Sequence, residues 1–271
     1  MAEAKKCRIV FMGTPEFAAA SLQRLADWPR GEIAAVYTQP DRPAGRGHKL
    51  CASAVKQLAH KLGLPVLQPA TLRDAAAQAQ LAAFKPDVLA VAAYGLILPD
   101  AVLAMPAVDA LNVHASRLPG LRGAAPIQRA IMDGWQPDAR AGVSIMRVVS
   151  KLDAGPVFAM DDMPIGEHTA GSLHEALAEM GANLLVDVLD AILEGRAAPQ
   201  PQDDALATYA PKISKEDGFV DWSCEALRVH VWSCVAARLA VCNAKSTMRF
   251  MGIALFAAAL FACLQASCRQ A

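Results

Sequence analysis

Mostly apolar runs of strand length recur from Cys7 to about Leu193, separated by stretches whose apolar positions fall at helical spacing. Cys7 to Met12, Ile33 to Thr38, Leu64 to Leu67, Val88 to Ala93 and Val108 to Val113 are such runs, each predicting a strand covered on both faces. Between them, a segment ending near Ala26, Ser53 to Leu62, and Leu72 to Phe84 predict helices. Ile127 to Met132 continues the helical pattern, and Gly142 to Val149 alternates as a strand. Gly171-Ser172 is expected to cap a long amphipathic helix, Leu173 to Leu193. Strands alternating with helices specify an α/β protein with a doubly wound, mostly parallel sheet.

Past Leu193 the pattern changes. Glu194 to Asp204 is a Pro/Gln/Asp linker. From Val229 to Ala271 there is no Asp or Glu, strand alternation is missing, and four of the chain's seven cysteines crowd together. Phe250 to Leu264 is almost wholly apolar over fifteen residues, shorter than the roughly 20 that span a bilayer. That tail has the look of an out-of-frame terminus; the alternative is a membrane-surface helix. The expected organisation is a catalytic domain over 1–196, a linker and the start of a second domain over 197–228, and an atypical tail over 229–271.

Composition narrows the classes further. A formal net charge of zero provides no global field to draw in nucleic acid, so any RNA contact must come from a local basic patch. The seven cysteines lack the short spacing of zinc sites, no His/Cys cluster offers a metal site, and no secretory signal precedes the first strand. The reading is a reduced, cytoplasmic protein that needs no metal and no membrane, unless the 250–264 run is native.

The stretch most able to carry chemistry begins with the strand Val108 to Val113, breaks into a Pro/Gly loop, and re-enters a helix at Pro126. Asn112 and His114 are two residues apart, so on a strand both side chains leave one face. In an α/β sheet ligands bind at such strand ends. An amide that can hold an oxyanion beside an imidazole that can move a proton suits acyl transfer. Taken alone, Asn112 could simply end the strand and His114 be a satisfied polar residue.

Three other stretches bear on function. Gly13 follows the first strand, but the later glycines of a dinucleotide fingerprint are missing, so Gly13 is expected to serve the turn. Gln39 to Lys49 carries Arg42, Arg46 and Lys49 among Pro43, Gly45 and Gly47. That loop is either a solvated surface loop or a phosphate-contacting arm. Asp153 sits in a turn between two strands, where an Asp commonly bonds its own backbone.

Asn-Val-His-Ala-Ser-Arg-Leu-Pro from Asn112 to Pro119, followed by Arg-Gly-Ala-Ala-Pro from Arg122 to Pro126, resembles the signature of the 10-formyltetrahydrofolate-dependent formyltransferases. Gly13 to Phe17, Tyr94 to Pro99, Leu152 to Gly155 and Thr208 to Glu216 are similar to the same family, in the same order, and the resemblance stops near Arg228. It departs at Arg117, usually apolar, at Gly120-Leu121, commonly Arg-Trp, and at Lys151, commonly small. The resemblance implies a Rossmann-like catalytic domain followed by a β-barrel domain, here incomplete. It implies Asn112, His114 and Asp153 as catalytic residues. Folate contacts would come from Tyr94, Gly95, Leu96 and Ile97 and from Ser116, Arg117, Leu118 and Pro119. Gln39 to Lys49 resembles the inserted loop with which members acting on initiator methionyl-tRNA grip the acceptor end, implying Arg42, Arg46 and Lys49 as tRNA contacts. The implied reaction passes a formyl group from 10-formyltetrahydrofolate to the α-amine of methionine on initiator tRNA, by a protein expected to be a monomer. Formylation of another amine, glycinamide ribonucleotide or a nucleotide sugar, would share the three catalytic residues without needing the basic loop. A catalytically impaired folate- or RNA-binding remnant is the third possibility.

Overall fold

The computed structural model describes residues 6–44, 49–134, 138–166, 168–214, 216–218 and 223. In chain order these form β1 (Cys7–Gly13), α1 (Glu16–Ala26), β2 (Gly31–Tyr37), β3 (Arg42–Ala44), β4 (Lys49–Cys51), α2 (Ala54–Lys61), β5 (Val66–Leu67) and α3 (Ala75–Ala83). There follow β6 (Val88–Ala92), α4 (Asp100–Leu103), β7 (Asp109–His114), β8 (Arg122–Gly123), α5 (Pro126–Asp133), β9 (Arg140–Arg147), β10 (Val157–Pro164), α6 (Ala170–Leu193) and β11 (Tyr209–Ala210). The main sheet has seven strands in the order β10-β9-β7-β6-β1-β2-β5. Strands β5, β2, β1, β6 and β7 are parallel, and β9 and β10 complete the sheet antiparallel.

The apolar runs do not alternate because both faces of the sheet are covered. In β1, Ile9 and Phe11 enter a core with Leu22, Leu25, Leu173 and Leu177 of α1 and α6. Val10 and Met12 enter the opposite core, with Leu72, Leu81 and Val102. Gly13 lets α1 approach: a Cβ there would stand 2.6 Å from that of Ala18.

Several boundaries move. The long helix starts at Ala170, capped by Thr169: the Ser172 N–H donates to Thr169 Oγ1 at 3.2 Å, and the Thr169 N–H to Ser172 Oγ at 3.1 Å. Gly171-Ser172 therefore lies in the first turn and is not the cap. Leu72 precedes α3 and is buried, because the helix waits for the run of alanines from Ala75. The basic loop forms a short hairpin, with Arg42 opposite Cys51 and Ala44 opposite Lys49. Residues 219–222 of the expected second domain, the tail 229–271 and its 250–264 run lie outside the described residues. Among the described residues no helix is long and apolar enough to cross a membrane.

Candidate active site

Strand β7 delivers Asn112 and His114 to its carboxyl end on one face, as their spacing requires. His114 is buried, opposite Ser144 of β9. Asn112 is half-buried, between Val91 of β6 and Met146 of β9, and among the described residues its amide has no partner. His114 Nε2 lies 3.0 Å from the Leu121 carbonyl. A carbonyl oxygen can only accept, so Nε2 carries a proton, and in the neutral ring the lone pair falls on Nδ1. Nδ1 stands 3.7 Å from Asp153 Oδ2. That is too far for a hydrogen bond and close enough to hold an imidazolium.

Asp153 is set by its surroundings and not by bonding its own backbone. It occupies the left-handed region at φ +46°, and its Oδ2 accepts the Gly123 N–H at 2.9 Å. Its carbonyl accepts from Gln202 Nε2 at 2.9 Å, and the same amide reaches the Gly155 carbonyl at 2.7 Å. Gln202 Oε1 in turn accepts from Arg122 Nε and Nη2 at 3.1 and 2.8 Å, while Arg122 Nη1 donates to Asp204 at 2.8 Å. Lys151, two residues before Asp153, also pairs with Asp204. Lys151 and, after it, Arg122 hold the Asp204 carboxyl below the usual aspartate range. Strand β11 lies parallel to β8, and Thr208 Oγ1 accepts the Leu121 N–H at 2.8 Å. Residues 200–210 are thus laid across the catalytic loop. Arg122 and Gln202 were not singled out as site residues; the one signal for Arg122 was its place in the Arg-Gly motif.

At the end of β6 the chain turns through Ala93 (φ +43°) and Gly95 (φ +79°). The Tyr94 side chain is buried beneath, where desolvation and then Tyr37 push its hydroxyl well above the usual tyrosine value. Its carbonyl accepts from Thr14 Oγ1 and from Gln39 Nε2, each at 3.0 Å. Among the described residues the backbone groups of Gly95, Leu96 and Ile97 take no hydrogen-bond partner, and Ile97 is exposed.

The second set of expected folate contacts is more committed. Ser116 Oγ donates to the Gly120 carbonyl at 2.6 Å, and the Ser116 carbonyl accepts from Ser144 Oγ at 2.7 Å. Leu118 is buried with Met146 and Val157, and the Leu118–Pro119 bond is cis. Arg117 turns to Asp162 on β10, 3.0 Å away, and not toward His114.

Of the expected tRNA contacts, Arg42 is exposed on β3 and donates to Gln39 Oε1 at 2.5 Å. Lys49 lies on β4, and Arg46 lies outside the described residues. The hairpin's root is fixed by Asp41, which accepts from Lys56 at 2.7 Å and from Gln68 at 2.8 Å; these bonds, Lys56 first, lower its carboxyl. Among the described residues no group of three His, Cys, Asp or Glu side chains converges as metal ligands.

A doubly wound sheet in which an interior strand ends in an amide beside an imidazole–carboxylate pair defines a candidate acyl-transfer enzyme. The formyl transferase family model matches residues 7–189, and the chain belongs to that family. A methionyl-tRNA formyltransferase of Desulfovibrio desulfuricans is 70% identical over 230 residues, which is 85% of this chain and 68% of that protein. The protein of the same name from Nitratidesulfovibrio vulgaris (strain Hildenborough) is 54% identical over 231 residues, covering 85% of this chain and 69% of its own. Among solved structures, an N-formyltransferase from Helicobacter canadensis in complex with folinic acid and dTDP-3-aminofucose superposes with a TM-score of 0.64 at 15% identity, covering 85% of this chain and 81% of that one. Glycinamide ribonucleotide transformylase 1 of Symbiobacterium toebii gives 0.58 at 21% identity, covering 74% of this chain and 96% of that one. Both share the fold.

Proposed function

We propose that this chain transfers a formyl group from 10-formyltetrahydrofolate to the α-amine of methionine on initiator tRNA. One observation carries the chemistry: His114 Nδ1 faces Asp153 at 3.7 Å, and the strand that carries His114 also presents Asn112, whose amide has no partner among the described residues. The acceptor follows from the 70% identity to a methionyl-tRNA formyltransferase and from the basic residues Arg42, Arg46 and Lys49.

As the amine adds to the formyl carbon, negative charge gathers on the formyl oxygen and positive charge on the nitrogen. The Asn112 amide N–H donates to that oxygen. His114 Nδ1 takes the amine's proton, the Leu121 carbonyl holds the other ring N–H, and Asp153 stabilises the imidazolium so formed. As the adduct collapses, the bond from the formyl carbon to N10 breaks, N10 receives that proton, and tetrahydrofolate leaves. The free backbone groups at Gly95, Leu96 and Ile97 fit a heteroaromatic ring rich in donors and acceptors, which is what the pterin of the folate presents. The Tyr94, Ser116 and Leu118 side chains would support that pocket from behind. Beyond Arg228 the sequence no longer follows the alternating pattern of the family's barrel, so binding of tRNA should fall mainly to the catalytic domain and its hairpin.

The test is an assay of the isolated chain with 10-formyltetrahydrofolate and three acceptors: charged initiator tRNA, glycinamide ribonucleotide and a nucleotide-linked amino sugar. Formylation of the tRNA is expected. Turnover confined to a small amine would overturn the assignment of acceptor, and turnover of none would overturn the assignment as an enzyme.

A further inference from the structure

We propose that Gln202, anchored by Arg122, is a positioning residue for Asp153, so that the segment following the catalytic sheet completes the active site. The inference rests on the catalytic role of Asp153 proposed above.

Asp153 sits in the left-handed region, which an Asp tolerates better than most residues with a Cβ but still at a cost, and here its neighbours hold it there. The imposing contacts are specific. The two N–H groups of the Gln202 amide bond the carbonyls of Asp153 and Gly155, two residues apart, and so bracket the turn. The amide cannot turn over, because its oxygen is held by two nitrogens of Arg122; a flipped amide would set N–H against guanidinium. Arg122 has no exposed side-chain surface. A guanidinium so placed persists only with its donors satisfied, and Gln202 and Asp204 supply side-chain acceptors.

The residue after Arg122 acts at the other end of the same aspartate. The Gly123 N–H holds Asp153 Oδ2, and β11 fixes Gly123 in place: a Cβ on it would stand 2.8 Å from the Ala210 carbonyl. Asp153 is therefore held at its carbonyl through Gln202 and at its carboxylate through Gly123. Neither contact involves His114. The consequence is a carboxylate kept 3.7 Å from Nδ1, close enough to stabilise a proton arriving there. Gln202 touches no reacting atom. Its effect on turnover runs through the place of Asp153 alone, and that separates it from a residue that merely stabilises the fold.

The test uses the full chain, with charged initiator tRNA and 10-formyltetrahydrofolate as substrates. Gln202→Glu keeps an acceptor for Arg122 and loses both donors to the turn; Gln202→Met is uncharged and loses both links. Each is made alone and together with Asp153→Asn, and kcat, both KM values and the unfolding midpoint are measured. The expected result is a kcat lowered about tenfold or more, as misplacement of a catalytic group produces, with KM values unchanged in both variants. The midpoint is kept in Gln202→Glu, which still offers Arg122 an acceptor, and falls in Gln202→Met, which leaves two buried donors of Arg122 unsatisfied. In the Asp153→Asn background neither substitution should lower kcat further. Wild-type kcat in the Gln202 variants, with Asp153→Asn inactive, overturns this inference and leaves the catalytic assignment standing. So do losses that multiply undiminished in the Asp153→Asn background. Full activity of Asp153→Asn overturns the catalytic assignment itself.

Discussion

Lys151 pairs with Asp204 and leaves the carboxylate of Asp153, two residues on, to the Gly123 N–H. A lysine so near the aspartate proposed to be catalytic could have neutralised it. The turn instead directs the ammonium to a carboxylate on residues 200–210, so the lysine ties that segment down without competing for Asp153. Lys151→Ala should accordingly leave kcat near the wild-type value; a large loss would mean that the lysine acts on Asp153 after all.

The same ion pair gives the segment an acid limit. Lys151 and Arg122 lower the carboxyl of Asp204, and Arg129 with Ser214 lowers that of Asp217. A carboxyl with a lower pKa in the fold binds fewer protons there than in the unfolded chain. Its stabilisation is complete above the ordinary aspartate range and drains away as pH falls through the lowered value. Thermal unfolding followed across acidic pH should show this loss, and Asp204→Asn with Asp217→Asn should flatten it. A slope unchanged by the double substitution would rule these two carboxylates out as its source.

His114→Ala and Asp153→Asn should lower kcat by roughly 10²–10⁴-fold, the usual range for general acid–base terms. Asn112→Ala should lower it by about 10²–10³-fold, as loss of one oxyanion donor does. Binding of the folate, measured by titration calorimetry, should survive all three. Near-normal turnover in any of them removes the corresponding role.

Gly123 stands at φ +120° against the Ala210 carbonyl. Gly123→Ala should cost about 1–3 kcal/mol through backbone strain at that dihedral and release β11 from β8. Hydrogen exchange at the Arg122 N–H, which donates to the Thr208 carbonyl, should then quicken well before the core of the sheet exchanges. Protection unchanged at Arg122 would show the pairing to be dispensable.

Replacing Arg42, Arg46 and Lys49 by neutral residues should raise KM for charged tRNA and flatten its salt dependence, because fewer phosphates are neutralised. KM for the folate should stay the same. Indifference of tRNA use to those charges would reduce the hairpin to a surface loop and favour a small amine as acceptor.

Much of this architecture was legible from periodicity. The mostly apolar runs placed β1, β2, β6 and β7, and the two-residue spacing of Asn112 and His114 put them on one face at the end of β7. The hairpin β3–β4 was not legible, since strands of three residues, Arg-Pro-Ala and Lys-Leu-Cys, are too short to show alternation. Nor was the contact of residues 200–210 with the catalytic loop. Its strands β8 and β11 are two residues each, too short for a period, and Gln202 lies in a stretch whose composition reads as a linker. Arg117 marks another limit: its position in the motif implied a folate contact, but the sequence cannot show that Asp162 lies within reach on a neighbouring strand.

Arg122 finds its side-chain partners 80 and 82 residues further along the chain, and that separation sets an order of events at the ribosome. Synthesis through α6 supplies every strand of the seven-stranded sheet and both of its cores. A nascent chain arrested with Arg196 just clear of the exit tunnel should therefore be folded and catalytically silent, its catalytic turn unbracketed. One arrested with Gly218 clear should be competent, so this chain would emerge folded before it emerged active.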